Sequence, residues 1–230
     1  MSATQPKVLV LCATGKTGKN VSTALKDEGF KVYGTTRSPE NKERLTGRGI
    51  TPVIANYTYR SAVDFAIKES GGEFVFAYTD YFLAGKSNTE EEIKQGKQMI
   101  DAAREGKVKH LVFMTCSGIE IVPEQCKHIT GKGKIEEYLK ESGISYTILR
   151  PVAFFENFDD NANWNPLKKG GVKFLSDAKI KFCSTYDIGR AAAVIFNNNE
   201  AWKGKTLDVA SWEGTMHEVS QVNTFLEENL

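Results

Sequence analysis

Lys7–Cys12 (KVLVLC) runs straight into Ala13-Thr14-Gly15-Lys16-Thr17-Gly18, and a helical pattern follows from Thr17 to Glu28. The first run is apolar on nearly every residue, as a strand covered on both faces must be. The helical stretch puts Val21, Ala24 and Leu25 on one face and stops at Gly29. Between them lies a turn of small residues that lets the backbone come close to a bound phosphate. Strand, small-residue turn and helix in that order decide the fold class, and the rest of the chain repeats the alternation.

Further strands are predicted at Lys31–Thr36, Ile50–Ala55, Phe74–Tyr78, Lys109–Met114 and Ser145–Arg150. Helices fall between them at Pro39–Leu45, Ser61–Lys68, Glu90–Glu105 and Gly131–Glu141. Six strands alternating with helices before Pro151 predict an α/β fold, a parallel sheet with helices on both faces. Beyond Pro151 the order loosens. A loop is expected over Asp159–Gly171, a helix over Asp187–Phe196, a strand over Lys205–Ala210 and a last helix over Met216–Glu228. The expected organisation is a core over 1–151 and a small substrate-side lobe over 152–230, packed together as one unit.

The composition excludes several classes of function. At 230 residues the chain can bury a core without disulfides or a structural metal. The 30 Lys+Arg balance 29 Asp+Glu, which argues against direct nucleic-acid binding and against an acidic tail. No apolar run approaches the roughly 18 residues of a membrane-spanning helix. The start, MSATQPKVLVL, lacks the pattern of a secretory signal. The four cysteines form no CxxC pair and, with only three histidines, no zinc-ligand spacing. A cytoplasmic protein with reduced thiols is expected, present also in the nucleus and either monomeric or dimeric.

The turn at residues 12–18 fits the dinucleotide fingerprint by its position after the first strand. That fingerprint has three glycines, and Cys12 stands where the first would be. An ordinary tight turn is the alternative. A nucleotide-triphosphatase loop is disfavoured, because it needs a glycine where Val10 stands. The second strand ends in Thr35-Thr36-Arg37-Ser38. An NAD site calls for Asp or Glu there, whereas Arg37, helped by Lys42, suits the 2′-phosphate of NADP(H).

Four stretches carry a family resemblance: VLVLCATGKTGKNV with TTRSPE; YTDYF with EEIKQGKQMIDAAREGKVKHLVFMT; HITGKGKIEEYLKESGISYTILRPVAFFENF; and FCSTYDIGRAAAVIF. The chain resembles the NmrA-like family, atypical relatives of the short-chain dehydrogenases. It is most similar to the subgroup of NADPH-binding redox sensors and transcriptional co-regulators. The resemblance implies a Rossmann-type doubly wound sheet with NADP(H) across the strand ends. It implies that Ala13, Thr14, Gly15, Lys16, Thr17 and Gly18 cradle the pyrophosphate and Arg37 takes the 2′-phosphate. Thr79 and Tyr81 would border the riboses, Lys132 would bond the ribose near the nicotinamide, and Phe154, Phe155 and Asn157 would wall the nicotinamide pocket. Cys12 departs from the family pattern and predicts a shifted turn. The ending MHEVSQVNTFLEENL, earlier than is usual in the family, predicts a reduced lobe.

Ordinary short-chain dehydrogenases use Tyr-x-x-x-Lys, in which the lysine tunes the tyrosine proton. Here the frame reads His128-Ile-Thr-Gly-Lys132. His128, Lys132, Thr115 and Ser117 are the candidates for chemistry, and a surface His at a helix start is the plainer reading of His128. Cys116 reads as an inert thiol. The favoured expectation is a redox sensor that engages a protein partner according to cofactor state. An NADPH-dependent reductase of a quinone, carbonyl or activated alkene is the alternative. An epimerase comes last, because it would want NAD and the tyrosine.

Overall fold

The computed structural model describes residues 5–82, 85–159 and 178–219. Its strands are β1 Lys7–Val10, β2 Lys31–Thr36, β3 Thr51–Ile54, β4 Phe74–Tyr78, β5 His110–Met114, β6 Tyr146–Pro151, β7 Ala153–Phe154, β8 Ile180–Cys183, β9 Thr206–Val209 and β10 Trp212–Gly214. Its helices are α1 Lys16–Asp27, α2 Lys42–Thr46, α3 Arg60–Ser70, α4 Thr89–Glu105, α5 Lys127–Glu141, α6 Thr185–Asn197 and α7 Asn199–Trp202. All but the first residue of the loop expected over Asp159–Gly171, and most of the helix expected over Met216–Glu228, fall outside the described residues.

Seven strands form one parallel sheet in the order β3-β2-β1-β4-β5-β6-β9. This is the expected Rossmann-type doubly wound sheet. β4 and β5 are buried at every position, which explains their unbroken apolar sequences. β3 is the edge strand and so tolerates Pro52. Helices α1 and α6 pack together on one face, and α3, α4 and α5 on the other. The α1–α6 crossing is close because a Cβ on Gly189 would lie 2.6 Å from Ala24 Cβ.

Strand order reverses between β1 and β4, which opens a crevice at the carboxyl ends. The division at residue 151 does not separate this sheet from the smaller lobe. β9 closes the free edge of β6, whose backbone groups would otherwise lack partners. The lobe has its own small sheet, β10-β8-β7, which the sequence did not announce, since strands of two to four residues leave no readable period. Phe158, Phe182 and Met216 form its core, with Trp212 against them. Among the described residues, no helix is long and apolar enough to cross a membrane.

One buried group ties stability to pH. His110 opens β5 at 0% exposure, with its ring nitrogens 2.8 Å from Ser145 Oγ and 2.8 Å from Thr147 Oγ1. Thr147 gives its own proton to the Trp202 carbonyl, so Nε2 donates to it, and in the neutral ring Nδ1 accepts from the Ser145 hydroxyl. Burial, with a smaller push from Lys203, lowers its pKa to about 4. The unfolded chain therefore binds this proton first as pH falls. Stability should be full above about pH 6.5 and fall by about 2 kcal/mol by pH 5. Urea unfolding across that window checks this, and His110→Gln should flatten the slope.

Candidate functional site

The turn after β1 is built from backbone against backbone. Cys12 adopts the left-handed conformation, with φ +62°, which glycine takes without strain. A residue with a Cβ takes this conformation at a cost of about 1 kcal/mol. Compensating bonds hold it. Cys12 N–H donates to Thr35 Oγ1 at 3.0 Å, and Gly15 N–H donates to the Cys12 carbonyl at 3.2 Å. The Tyr78 hydroxyl donates to that same carbonyl at 3.3 Å. Gly18 must be glycine, because a Cβ there would lie 2.1 Å from Cys12 O. At Gly15, the N-cap of α1, no side chain caps the helix, and its first turn has no acidic residue. Its leading N–H groups and positive dipole end thus face the crevice.

A cleft of about 640 Å³ runs from this turn across the ends of β4 and β5 to the segment after β6. Gly15, Lys16 and Thr17 line it together with Phe154 and Asn157, and the Lys16 ammonium donates to the Glu156 carbonyl at 3.2 Å, so the start of α1 and the segment after β6 meet there. Thr79, Tyr81, Thr115, Ser117, His128 and Lys132 line it as well. The remaining expected residues lie elsewhere. Ala13 and Gly18 are buried behind the turn, and Thr14 is half-buried. Arg37 and Lys42 are exposed beside the end of β2, where the charge of Arg37 reaches Cys12 and Tyr57. Phe155 does not wall the cleft. The chain leaves β7 after Phe154 and enters a 3-10 helix over Phe155–Asp159, and Phe155 stacks on Phe182 of the smaller lobe with centroids 5.4 Å apart.

The sequence reading started α5 at Gly131, but the helix begins at Lys127. Gly131 is there for close packing, since its Cβ would meet Thr89 Cγ2 at 3.0 Å and Glu92 Oε2 at 3.1 Å. The earlier start puts His128 and Lys132 one turn apart on the cleft side. The His128 ring lies 6.1 Å from Tyr81 and 5.9 Å from Phe82. Lys132 Nζ pairs with Glu92, which also accepts from Thr79 Oγ1 at 2.8 Å. Glu136 accepts from Thr115 Oγ1 at 2.7 Å and from Arg150 through Nε and NH2 at 2.9 and 2.6 Å. Burial pushes the Cys116 thiol up to about 11, so it stays protonated at neutral pH. Burial pushes the Cys12 thiol higher still.

Several of these residues were absent from the sequence-derived set: Tyr78, Glu92, Glu136, Arg150 and Glu156. Glu92 had a signal, because it shares the buried face of α4 with Gly96 and Met99. A charge on an apolar stripe marks a paired group. Glu156 had none. Its Oε1 accepts from Asn20 at 3.3 Å, Ser184 Oγ at 3.0 Å and Thr185 Oγ1 at 2.6 Å, tying α1 to the start of α6.

Prestalk A differentiation protein A of Dictyostelium discoideum is 23% identical over 212 residues, covering 91% of this chain and 65% of that protein. The (4-alkanoyl-5-oxo-2,5-dihydrofuran-3-yl)methyl phosphate reductase of Streptomyces griseus is 30% identical over 191 residues, covering 80% and 61%. The chain thus spans less than two thirds of the length of these relatives. The fold is shared with an NADPH-dependent quinone oxidoreductase of Escherichia coli solved with NADPH. The TM-score is 0.76 and the identity 23%, over 96% of this chain and 75% of that one. A model of the NmrA-like family matches residues 4–224, and this chain belongs to that family.

Proposed function

We propose that the protein binds NADP(H) along the cleft and uses it to reduce a small acceptor seated among Tyr81, His128 and Phe154. The observation that carries this is one cleft lined both by the uncapped start of α1 and by Thr79, Thr115, Lys132 and Phe154 at the strand ends. The residues fit the dinucleotide. The turn is stripped of side chains where Gly15 and Gly18 stand, and an arginine, Arg37, stands at the end of β2 where an NAD site would have a ribose-binding acid. Bound NADPH supplies a hydride. The chain's part is to hold the dinucleotide, seat the acceptor and exclude water. Relatives named as reductases and oxidoreductases support the same reading.

The sensor reading, in which cofactor state governs a protein partner, draws support from a different observation. His128 stands in place of the catalytic tyrosine, and the Cys116 thiol is protonated. A sensor needs only unequal partner affinities in its two states. Calorimetric titration with NADPH, NADP+, NADH and NAD+, followed by a panel of quinones, carbonyls and activated alkenes, separates the readings. NADP(H) should bind in the micromolar range. Arg37→Ser should weaken NADP(H) by about 10- to 100-fold, the worth of a charge-assisted phosphate contact, and leave NAD(H) unchanged. Turnover well above background supports the reductase. Binding without turnover supports the sensor. Absence of binding overturns both.

A further inference from the structure

Thr79 and Thr115 follow neighbouring strands. Tyr78 pairs with Met114 across β4 and β5, so the two threonines come side by side at the strand ends. Each is nearly buried, at 6% and 4% exposure, yet both line the cleft. Each hydroxyl reaches a glutamate on the helix behind it: Thr79 to Glu92 of α4 at 2.8 Å, and Thr115 to Glu136 of α5 at 2.7 Å. The glutamates are 0% and 1% exposed, and each is paired with a cation, Lys132 and Arg150. A carboxylate paired in this way can only accept. A hydroxyl has one proton to give, so both threonine protons point away from the cleft.

We propose that Glu92 and Glu136 are positioning residues that turn the Thr79 and Thr115 protons inward, so that these two hydroxyls offer a ligand hydrogen-bond acceptors only, beside a Lys132 ammonium that itself donates to Thr79 Oγ1 at 3.5 Å. The two hydroxyls select O–H and N–H donors, and Lys132 is left as the donor next to them. The turn after β1 fixes the pyrophosphate, and Arg37 draws the adenosine half toward β2. The β4–β5 side therefore receives the nicotinamide half, whose donors are its ribose hydroxyls and carboxamide amine. This assignment rests on the NADP(H) reading. It also removes both threonines as proton donors to a reduced acceptor, which must draw its proton from water or another group.

The test compares Thr79→Val, Thr115→Val, Thr79→Ser and Thr115→Ser in binding NADP+ and 2′,5′-ADP, the half without nicotinamide. Valine keeps the shape and removes the acceptor, whereas serine keeps the acceptor. Each valine variant should weaken NADP+ by about tenfold, each serine variant by less than about twofold, and 2′,5′-ADP should be unaffected. A purely structural role would move both ligands together. Proton NMR of the slowly exchanging threonine hydroxyls, with and without NADP+, reads their direction. They should remain directed at the glutamates. Valine variants that bind NADP+ as the wild type does, or hydroxyl protons that swing to the ligand, overturn the proposal alone. Wild-type protein that binds neither NADP+ nor 2′,5′-ADP overturns the NADP(H) reading and this proposal with it.

Discussion

Gly18→Ala is expected to abolish NADP(H) binding and to destabilise the protein by about 3 kcal/mol, at the upper end of overpacking effects. The new methyl would stand 2.1 Å from Cys12 O, 2.8 Å from Cys12 C and 2.9 Å from Ala13 Cα. All three are backbone atoms, so no rotamer change relieves the contact. Cys12 already holds φ at +62°, in a region where a side chain is strained, and cannot absorb a further shift. The start of α1 must then move away from the turn, and the anion site opens. The melting temperature should fall by about 6–12 °C for a chain of this size. Gly15→Ala is the comparison. Its methyl would meet Tyr78 Oη at 3.1 Å, the far end of a side chain that can give way. That variant should lose less than about 1 kcal/mol. Thermal unfolding together with NADPH calorimetry separates the two, and wild-type affinity in Gly18→Ala would refute the role given to the turn.

Arg150→Met is expected to cost about 3–5 kcal/mol, because it leaves the Glu136 carboxylate buried without its main partner. Arg150 gives Glu136 two hydrogen bonds, at 2.9 and 2.6 Å, and Glu136 is 1% exposed. Lys140 remains 3.7 Å away, but its side chain is 45% exposed and compensates weakly. Replacing both partners, as in Glu136→Leu with Arg150→Met, should be far milder, since no charge is then stranded. Urea unfolding of both single variants and the double variant closes the cycle. A single-variant loss below about 1 kcal/mol would show that water reaches the pair.

The order of elements was legible because each buried strand is a short apolar run followed by an amphipathic helix. β4 was read to the residue, since Glu73 and Thr79 bracket five apolar positions. The glycine turn was legible too, because small residues are required wherever backbone touches backbone. α5 was read four residues late. Its glycines lower helix propensity, and only the packing of Gly131 on Glu92 and Thr89 shows why they are tolerated. Phe155 was placed in the cleft by likeness to a family motif, and the 3-10 helix that begins there sends it to the smaller lobe.

Local sequence therefore determined the strands, the helices, the phosphate turn and the Arg37 position, each of which depends on residues within about ten of one another. Tertiary structure alone decided which strand closes the edge of β6, which side chains line the cleft, and which way the Thr79 and Thr115 protons point. Those depend on partners far along the chain, from Glu92 for Thr79, 13 positions away, to Glu156 for Lys16, 140 positions away. Nothing local fixes such a distance; the fold brings the partners together because buried polar groups must find each other.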